Sequence, residues 1–145
     1  MSHPRAPIAG RVLPVMPEAI NPEGWARPAG FSHGMLAAGR VLAVAGQIGA
    51  DPEGRLSEGG LVPQFDRALG NVIEVVSAAG GRIEDVVSMT IYVLDRAAYL
   101  AARPALGEVW RRRAGRHYPA ISLVEVRGLV AEGAVVELQA LAVLP

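Results

Sequence analysis

The sequence predicts a two-layer α+β domain with the order β-β-α-β-α-β-β, in which two helices cover one face of a mixed β-sheet. Three observations support this prediction. Apolar residues recur at steps of three and four over residues 62–79, apolar and polar residues alternate over residues 86–94, and the other apolar runs are short. A length of 145 residues fits one domain with a substantial core.

The composition excludes several classes of protein. Hydrophobic residues make up 51% of the chain, and 14 basic residues balance 14 acidic ones, so zero net charge gives no reason to expect a nucleic-acid partner. The chain has no cysteine, which rules out disulfides and cysteine-based metal sites or nucleophiles. His3, His33 and His117 have no metal-ligand spacing, so we expect no metal site.

Residues 1–24 are expected to form an irregular arm because prolines interrupt them at positions 4, 7, 14, 17 and 22. The arm is either disordered or lies along a neighbouring subunit. It has no continuous apolar core of the signal-peptide type, and no stretch of the chain approaches a membrane span. We therefore expect a cytoplasmic protein without a membrane partner.

The first two strands are predicted within Met35 to Ala50, where two apolar runs flank Gly39-Arg40. A two-residue connection containing glycine is typical of a β-hairpin. Residues 51–60, with three glycines and a proline, read as a loop.

Two helices are predicted. The first covers about residues 62–79 and ends at Gly80-Gly81. The second is capped by Asp95 and runs to about Ala114, and Pro104 inside it either kinks the helix or marks its true start.

Three further strands are predicted at residues 86–94, 120–126 and 134–144. In the first of them Val87, Met89, Ile91 and Val93 share one face, which we expect to be buried. Strands this apolar indicate that the second sheet face is also covered, and a partner subunit is the simplest cover for it.

Five segments occur in the order and spacing of one known family: GFSHG at 30–34, VAGQIGADPEG at 44–54, QFDRALGNVIEVVSAAGG at 64–81, DVVSMTIYVLD at 85–95 and VVELQALAV at 135–143. On these motifs the chain resembles the Rid (reactive intermediate deaminase, YjgF-like) family. The resemblance covers most of residues 25–145, which are expected to form a single Rid-like domain.

The resemblance implies a chorismate-mutase-like fold assembled as a homotrimer, with small-metabolite clefts between subunits. Many members hydrolyse enamines and imines, such as 2-aminoacrylate, without a cofactor. In the deaminating members an arginine in a P-A-R-S segment binds the substrate carboxylate through its planar guanidinium. A glutamate in the last strand orients the attacking water.

This chain keeps the glutamate, as Glu137, and lacks the arginine. Pro119-Ala120-Ile121-Ser122 matches the P-A-R-S segment, so Ile121 stands where the guanidinium is expected. Phe31 replaces a cleft tyrosine, Ala45 replaces a serine before Gly46, and Arg103 stands in place of an asparagine. The resemblance thus assigns Glu137 as the catalytic candidate, and Phe31, Ala45, Gly46, Arg103 and Ile121 as substrate-binding candidates.

The residues themselves leave alternatives open. An isoleucine cannot balance a carboxylate, so we expect weak or absent activity on 2-iminopropionate unless another cation substitutes. Arg103 either binds that anion or is a solvated helix residue. Glu137 either acts as a base in the cleft or belongs to a solvated strand face.

Two functions follow. The first is hydrolysis of an imine, enamine or related intermediate with a non-standard substrate; the second is binding of a metabolite without turnover. A basic cluster at 111–116 beside His117 suggests an RNA contact, but cations at the end of a helix are favoured by the helix dipole alone. A ribonuclease is therefore the weaker reading.

Overall fold

The computed structural model describes residues 16–145. The strands are β1 (Glu18–Ile20), β2 (Gly34–Leu36), β3 (Arg40–Ile48), β4 (Val86–Val93), β5 (Ala120–Glu125) and β6 (Val136–Leu144). The helices are α1 (Leu61–Ala78), α2 (Arg96–Ala101) and α3 (Arg103–Ala114), with a 3-10 turn at Ile83–Asp85. None of the described helices is long and apolar enough to span a membrane.

The main sheet has the strand order β3-β6-β4-β5. β6 is antiparallel to both of its neighbours, and β4 and β5 are parallel. The sheet is therefore mixed, as predicted. β1 lies within the predicted irregular arm and pairs with β2 in a separate two-stranded ribbon. Residues 1–15 of that arm lie outside the described part of the chain.

The predicted hairpin across Gly39-Arg40 is wrong. β2 pairs with β1, and β3 pairs with β6 from the far end of the domain. Gly39 has φ +148°, and a Cβ atom there would lie 1.9 Å from the carbonyl oxygen of Leu144. Glycine is needed at this position because β6 approaches closely, and the same residue type had suggested a turn.

Helix α1 begins and ends within one residue of its predicted bounds. The second predicted helix is two helices separated at Ala102, and Pro104 takes the second position of α3. Proline is tolerated there because the amides of the first helical turn have no partner within the helix. The side chain of Asp95 accepts a hydrogen bond from the Ala98 amide at 3.0 Å, which confirms the predicted cap.

The core lies between the helices and one face of the main sheet. α1 contributes Phe65, Leu69, Val72 and Val76, and α3 contributes Leu106, Val109 and Trp110 to the same cluster. Burial of large apolar side chains of this kind stabilises the fold by about 1.5–3 kcal/mol each. From the sheet, β6 presents Val136, Leu138, Ala140, Ala142 and Leu144 to the core.

One detail of β4 differs from the predicted alternation. Met89, Ile91 and Val93 are buried as predicted, but Val86 is fully buried and Val87 is only partly buried. The pairing of β4 with β6 shifts register between Val86 and Ser88. This irregularity reverses the side-chain alternation at the start of the strand.

The opposite sheet face carries exposed apolar side chains. Val41, Leu141 and Val124 are 71%, 44% and 40% exposed. They lie on β3, β6 and β5, so the exposed apolar surface extends across the main sheet. We call this surface the open sheet face.

An ion-pair cluster joins α3 to α1. Asp66 accepts hydrogen bonds from Arg112 at 3.2 and 3.3 Å and a short one from the Nε of Arg113. Burial alone would raise the pKa of Asp66, but the bonds from Arg113 and Arg112 outweigh it and lower that pKa. The cluster also occupies two of the arginines that had suggested an RNA contact.

Replacing Asp66 with asparagine is expected to lower the free energy of unfolding by about 1 kcal/mol at pH 7. This value is kept small because Arg112 is exposed and solvent screens its charge. Because folding lowers the pKa of Asp66, its contribution is present above the unfolded pKa of about 4 and is lost as pH falls through the folded pKa. Urea unfolding at pH 7 and pH 3 measures this. The stability gap should narrow at pH 3, and an exposed Glu58→Gln variant controls for the lost charge.

Candidate functional site

A cavity of about 490 Å³ lies between α2, α3 and the end of the sheet next to β5. Three of the predicted substrate-binding residues line it, namely Phe31, Arg103 and Ile121. We call it the helix-side cavity. Its other lining side chains are mostly apolar or aromatic and include Phe65, Ile91, Tyr99, Leu100, Leu106, Trp110, Tyr118 and Leu123.

Ile121 faces the helices. β5 runs parallel to β4, with Ile121 paired with Met89 and Leu123 paired with Ile91. Met89 and Ile91 are buried in the core, and Ile121 and Leu123 pack against that core. Ile121, which stands where the family arginine is expected, is therefore part of an apolar wall.

Arg103 is the first residue of α3 and reaches the same cavity. Its charge acts on Tyr99, one turn earlier. Burial raises the pKa of the Tyr99 hydroxyl, and the positive charge of Arg103 opposes this rise without cancelling it. Arg103 thus supplies a positive charge to the cavity, whereas Ile121, in place of the family arginine, supplies none.

The remaining candidates, Ala45, Gly46 and Glu137, lie on the open sheet face. Val44 pairs with Ala140 and Gln47 with Leu138, so Ala45 and Gly46 together face the single residue between them on β6. This arrangement is a β-bulge, which interrupts the hydrogen-bond ladder and frequently occurs beside functional sites.

Glu137 lies directly over the bulge. A Cβ atom on Gly46 would be 1.9 Å from Oε1 of Glu137 and 2.8 Å from its carboxyl carbon. Only a residue without a side chain leaves room for the carboxylate in this position. Beside it, the Tyr92 hydroxyl donates to Oε1 of Gln139 at 2.8 Å.

A pocket of about 330 Å³ surrounds the Glu137 carboxylate. Gly46 and Tyr92 line it together with the loop after β5, which contributes Gly128 and Val130. No residue of the described chain donates a hydrogen bond to the carboxylate of Glu137. Its oxygens are therefore available to a water molecule, a ligand or a second chain.

Replacing Gly46 with alanine is expected to displace the Glu137 carboxylate, because the added methyl group would overlap it. We expect at least a roughly tenfold loss of any activity that depends on Glu137, with little change in stability because a side-chain end can rotate away. Turnover and thermal unfolding of the same preparation measure this. Gly34→Ala is the matched control, since its Cβ would meet only ordinary contacts at 3.7 Å.

The predicted site residues therefore form two groups on opposite faces of the sheet. Glu137 pairs with Tyr92, which lies on the open face, whereas Ile121 pairs with Met89 on the buried face. Successive side chains of a strand point to opposite faces. A single chain does not bring Glu137 together with Ile121, Phe31 and Arg103.

Sequence reasoning missed part of the helix-side cavity. No site role was predicted for Tyr99 or Trp110, and Arg111 was considered only as one member of a basic cluster. Tyr118 follows that cluster without any periodic signal. All four line the cavity, and helical spacing from Arg103 to Arg111 was the one available indication for the second arginine.

The histidines have structural contacts. Nε2 of His117 lies 2.7 Å from the carbonyl oxygen of Val86, and the ring of His33 packs edge-on against Trp25 and Phe31. Within residues 16–145, no three histidine, aspartate or glutamate side chains come together as a possible metal site.

Comparisons with known proteins agree with this fold. Residues 25–144 match the family described as Endoribonuclease L-PSP. The chain is 31% identical over 128 residues to a RutC family protein of Pyrococcus horikoshii, covering 88% of this chain and 98% of that one. It is also 32% identical over 105 residues to the 2-iminobutanoate/2-iminopropanoate deaminase of Capra hircus, covering 72% and 73% of the two chains.

Among solved structures, the Rid family protein YyfB of Yersinia pestis superposes with a TM-score of 0.78 at 33% identity, covering 88% of this chain and 98% of that one. This likeness confirms the predicted chorismate-mutase-like two-layer α+β fold. The family match spans all six residues assigned to the candidate site. The chain therefore belongs to the Endoribonuclease L-PSP family, the family of the Rid and RutC proteins.

Proposed function

We propose that this chain forms a homotrimer whose intersubunit clefts hydrolyse an imine, an enamine or a related small metabolite without a cofactor. Residues 25–145 form the single domain that builds each cleft, and the protein acts in the cytoplasm. One half of a cleft is the helix-side cavity of one subunit. The other half is Glu137 on the open sheet face of its neighbour.

The observation that carries this proposal is the separation of the two residue groups. Glu137 stands on an apolar face that leaves Val41 and Leu141 exposed, and exposed apolar surface of this kind favours association. When a second subunit covers that face, Glu137 of the first subunit can meet the helix-side cavity of the second. Within one chain the two lie on opposite sides of the sheet. A closed ring of identical heterologous contacts repeats this cleft at every interface.

In the proposed reaction, Glu137 accepts a proton from a water molecule that attacks the carbon of the C=N bond. The resulting carbinolamine collapses and releases ammonia and a carbonyl product, with the proton returned to the leaving nitrogen. An enamine first gains a proton at carbon and loses one from nitrogen to give the imine. The backbone at Ala45 and Gly46, interrupted by the bulge, lies close enough to Glu137 to help hold the reacting group.

Substrate choice depends on the cavity. With Ile121 in the apolar wall, the carboxylate of a small imino acid lacks the usual partner, and Arg103 is the proposed substitute. Phe31 gives the same wall an apolar ring. We therefore propose weak turnover of 2-iminopropionate, although the related Capra hircus protein is named a deaminase for this compound and its four-carbon homologue.

A specific observation also favours a second function. Ile121 packs against the core with Leu123, so no charged group stands where family members have the carboxylate-binding arginine. A cleft of this kind can bind a metabolite without hydrolysing it. The alternative is therefore a non-catalytic binding or regulatory protein with the same cleft.

An amino-acid oxidase that generates 2-imino acids in the presence of the purified protein separates the two functions. Faster release of the keto acid than in the oxidase-only reaction, over a range of amino acids, supports hydrolysis. Saturable binding of the keto acids without any acceleration supports the binding function. An Ile121→Arg variant, assayed in parallel, is expected to gain activity on the smallest imino acids.

Mixing two impaired variants tests the composite cleft. Glu137→Gln and Arg103→Ala chains are unfolded together, refolded and assayed. If each cleft draws these residues from different subunits, about a quarter of the clefts in randomly mixed trimers are intact and activity returns. Recovery limited to the level of the separate variants would place both residues in one subunit's site and contradict the arrangement.

A further inference from the structure

The helix-side cavity has a wall of aromatic rings with fixed positions. The rings of Trp110 and Tyr118 lie nearly parallel, with centroids 6.2 Å apart. Trp110 Nε1 donates to the carbonyl oxygen of His117 at 2.9 Å, and Ser32 Oγ donates to the carbonyl oxygen of Tyr118 at 2.6 Å. Because these contacts are made within the chain itself, they hold the rings in place and little ordering is needed when a ligand binds.

Two arginines stand at the cavity about two turns apart on α3. Arg103 and Arg111 are eight residues apart, so they lie on the same side of the helix. Between them, Gly107 has no side chain, and Nη1 of Arg111 lies 3.8 Å from the position that its Cβ would take. The guanidinium of Arg111 therefore lies back along the helix toward Arg103.

The charge of these two arginines is not balanced within the described chain. No aspartate or glutamate among residues 16–145 lines the cavity. Arg112 and Arg113 share the carboxylate of Asp66, whereas neither Arg103 nor Arg111 forms an ion pair with a residue in the described range. An aromatic cavity with two unpaired cations at one side complements an anion that carries a large apolar group.

We propose that the helix-side cavity selects substrates with an aromatic side chain, whose carboxylate is bound by Arg103 and Arg111. This inference rests on the proposed function, because it names 2-imino-3-arylpropanoates as the substrate class of the same cleft. The aryl group lies against Trp110, Tyr118 and Ile121, and the carboxylate points toward α3. The reactive carbon then stays at the mouth, where a neighbouring subunit presents Glu137.

The size and chemistry of the cavity favour an aromatic substrate over a small one. A volume of about 490 Å³ lies within the range of sites that hold drug-sized ligands and far exceeds the needs of pyruvate. A planar ring can stack on the aromatic wall and cover apolar surface that a methyl group leaves in contact with water. The apolar side chain of Ile121 makes a favourable contact with the ring. For a small imino acid it offers no charge to bind the carboxylate.

Binding of keto acids tests this inference without turnover. Isothermal titration compares phenylpyruvate with pyruvate, which shares its carboxylate and keto group, and with phenylacetone, which keeps the ring and lacks the carboxylate. We expect phenylpyruvate to bind at least about tenfold more tightly than either of the others. Equal affinity for phenylpyruvate and pyruvate would overturn the proposal.

Two variants test the two halves of the site. Gly107→Leu places a side chain in the cavity and raises helix propensity, so the protein should stay folded and lose at least about tenfold in affinity for both aryl ligands. An Arg103→Ala/Arg111→Ala double variant should weaken phenylpyruvate by about tenfold and leave phenylacetone unchanged. Arg96→Ala, an exposed α2 arginine outside the cavity, is the matched control and should leave all three affinities unchanged.

The results also separate this inference from the proposed function. Tight binding of phenylpyruvate without imine hydrolysis would support the aromatic site and overturn the enzymatic function. Imine hydrolysis with no preference for phenylpyruvate would support the enzyme and overturn the aromatic site. Unchanged phenylpyruvate affinity in the double variant would overturn the role assigned to Arg103 and Arg111.

Discussion

Replacing Glu137 with glutamine is expected to lower the rate of imine hydrolysis by about 100-fold or more, because a glutamine amide cannot accept a proton from the attacking water. The change keeps the size of the side chain and its place over Gly46. No hydrogen bond from the described chain is lost, so stability and assembly should remain close to native. The measurements are turnover with oxidase-generated imines, thermal unfolding and sedimentation.

Glu108→Gln is the matched control for this experiment. Glu108 is an exposed residue of α3 that lines neither the helix-side cavity nor the Glu137 pocket. Its replacement removes the same charge and should leave turnover unchanged. If Glu137→Gln retained native turnover while the protein hydrolysed imines, Glu137 would not be the base, and the chemistry would need another group.

A Leu141→Asp variant is expected to convert the proposed trimer into monomers. Leu141 lies in the middle of the open sheet face, on the strand between β3 and β4, and is 44% exposed. A carboxylate buried without a partner in an interface costs several kcal/mol, and the cost is repeated at each contact of the ring. Sedimentation should then give the 15.2 kDa of one chain in place of three times that mass.

Loss of assembly should abolish hydrolysis, since each cleft of the proposed trimer draws residues from two subunits. Ala105→Asp controls for the added charge, because Ala105 is an exposed residue of α3 outside the helix-side cavity. It should leave assembly and turnover as they are. A native protein that sediments as a monomer at micromolar concentration would contradict the trimer and the composite cleft together.

Local signals in the sequence were sufficient for α1, for the start of α2 and for most of the strand positions. The apolar stripe of α1 and the cap at Asp95 depend on neighbours within one or two turns, so residues close in sequence carry the information. Alternation within a strand likewise depends on a period of two residues. Pairing depends on the partner strand, and the sequence around Gly39 could not reveal that β6 lies beside it.

For the candidate site, the sequence likewise revealed the identity of the residues but not the contacts between them. The family motifs identified Glu137, Gly46 and the loss of the arginine at Ile121 directly from the letters. The contact between Glu137 and Gly46 joins β6 to β3 across some 90 residues of chain, so no local pattern contains it. The sequence likewise did not reveal that Arg103 and Arg111 lack an ion-pair partner within residues 16–145, because Asp66 binds Arg112 and Arg113 instead.

By itself, the sequence determined the fold class, the family and the identity of the residues available for chemistry, because periodicity and motifs are properties of a linear chain. Only the tertiary structure decided which face of the sheet each candidate occupies. It separated Glu137 from Ile121, gathered the aromatic rings around the two arginines of α3 and left the open sheet face exposed. These outcomes follow from packing between distant segments, which depends on shape and volume in three dimensions.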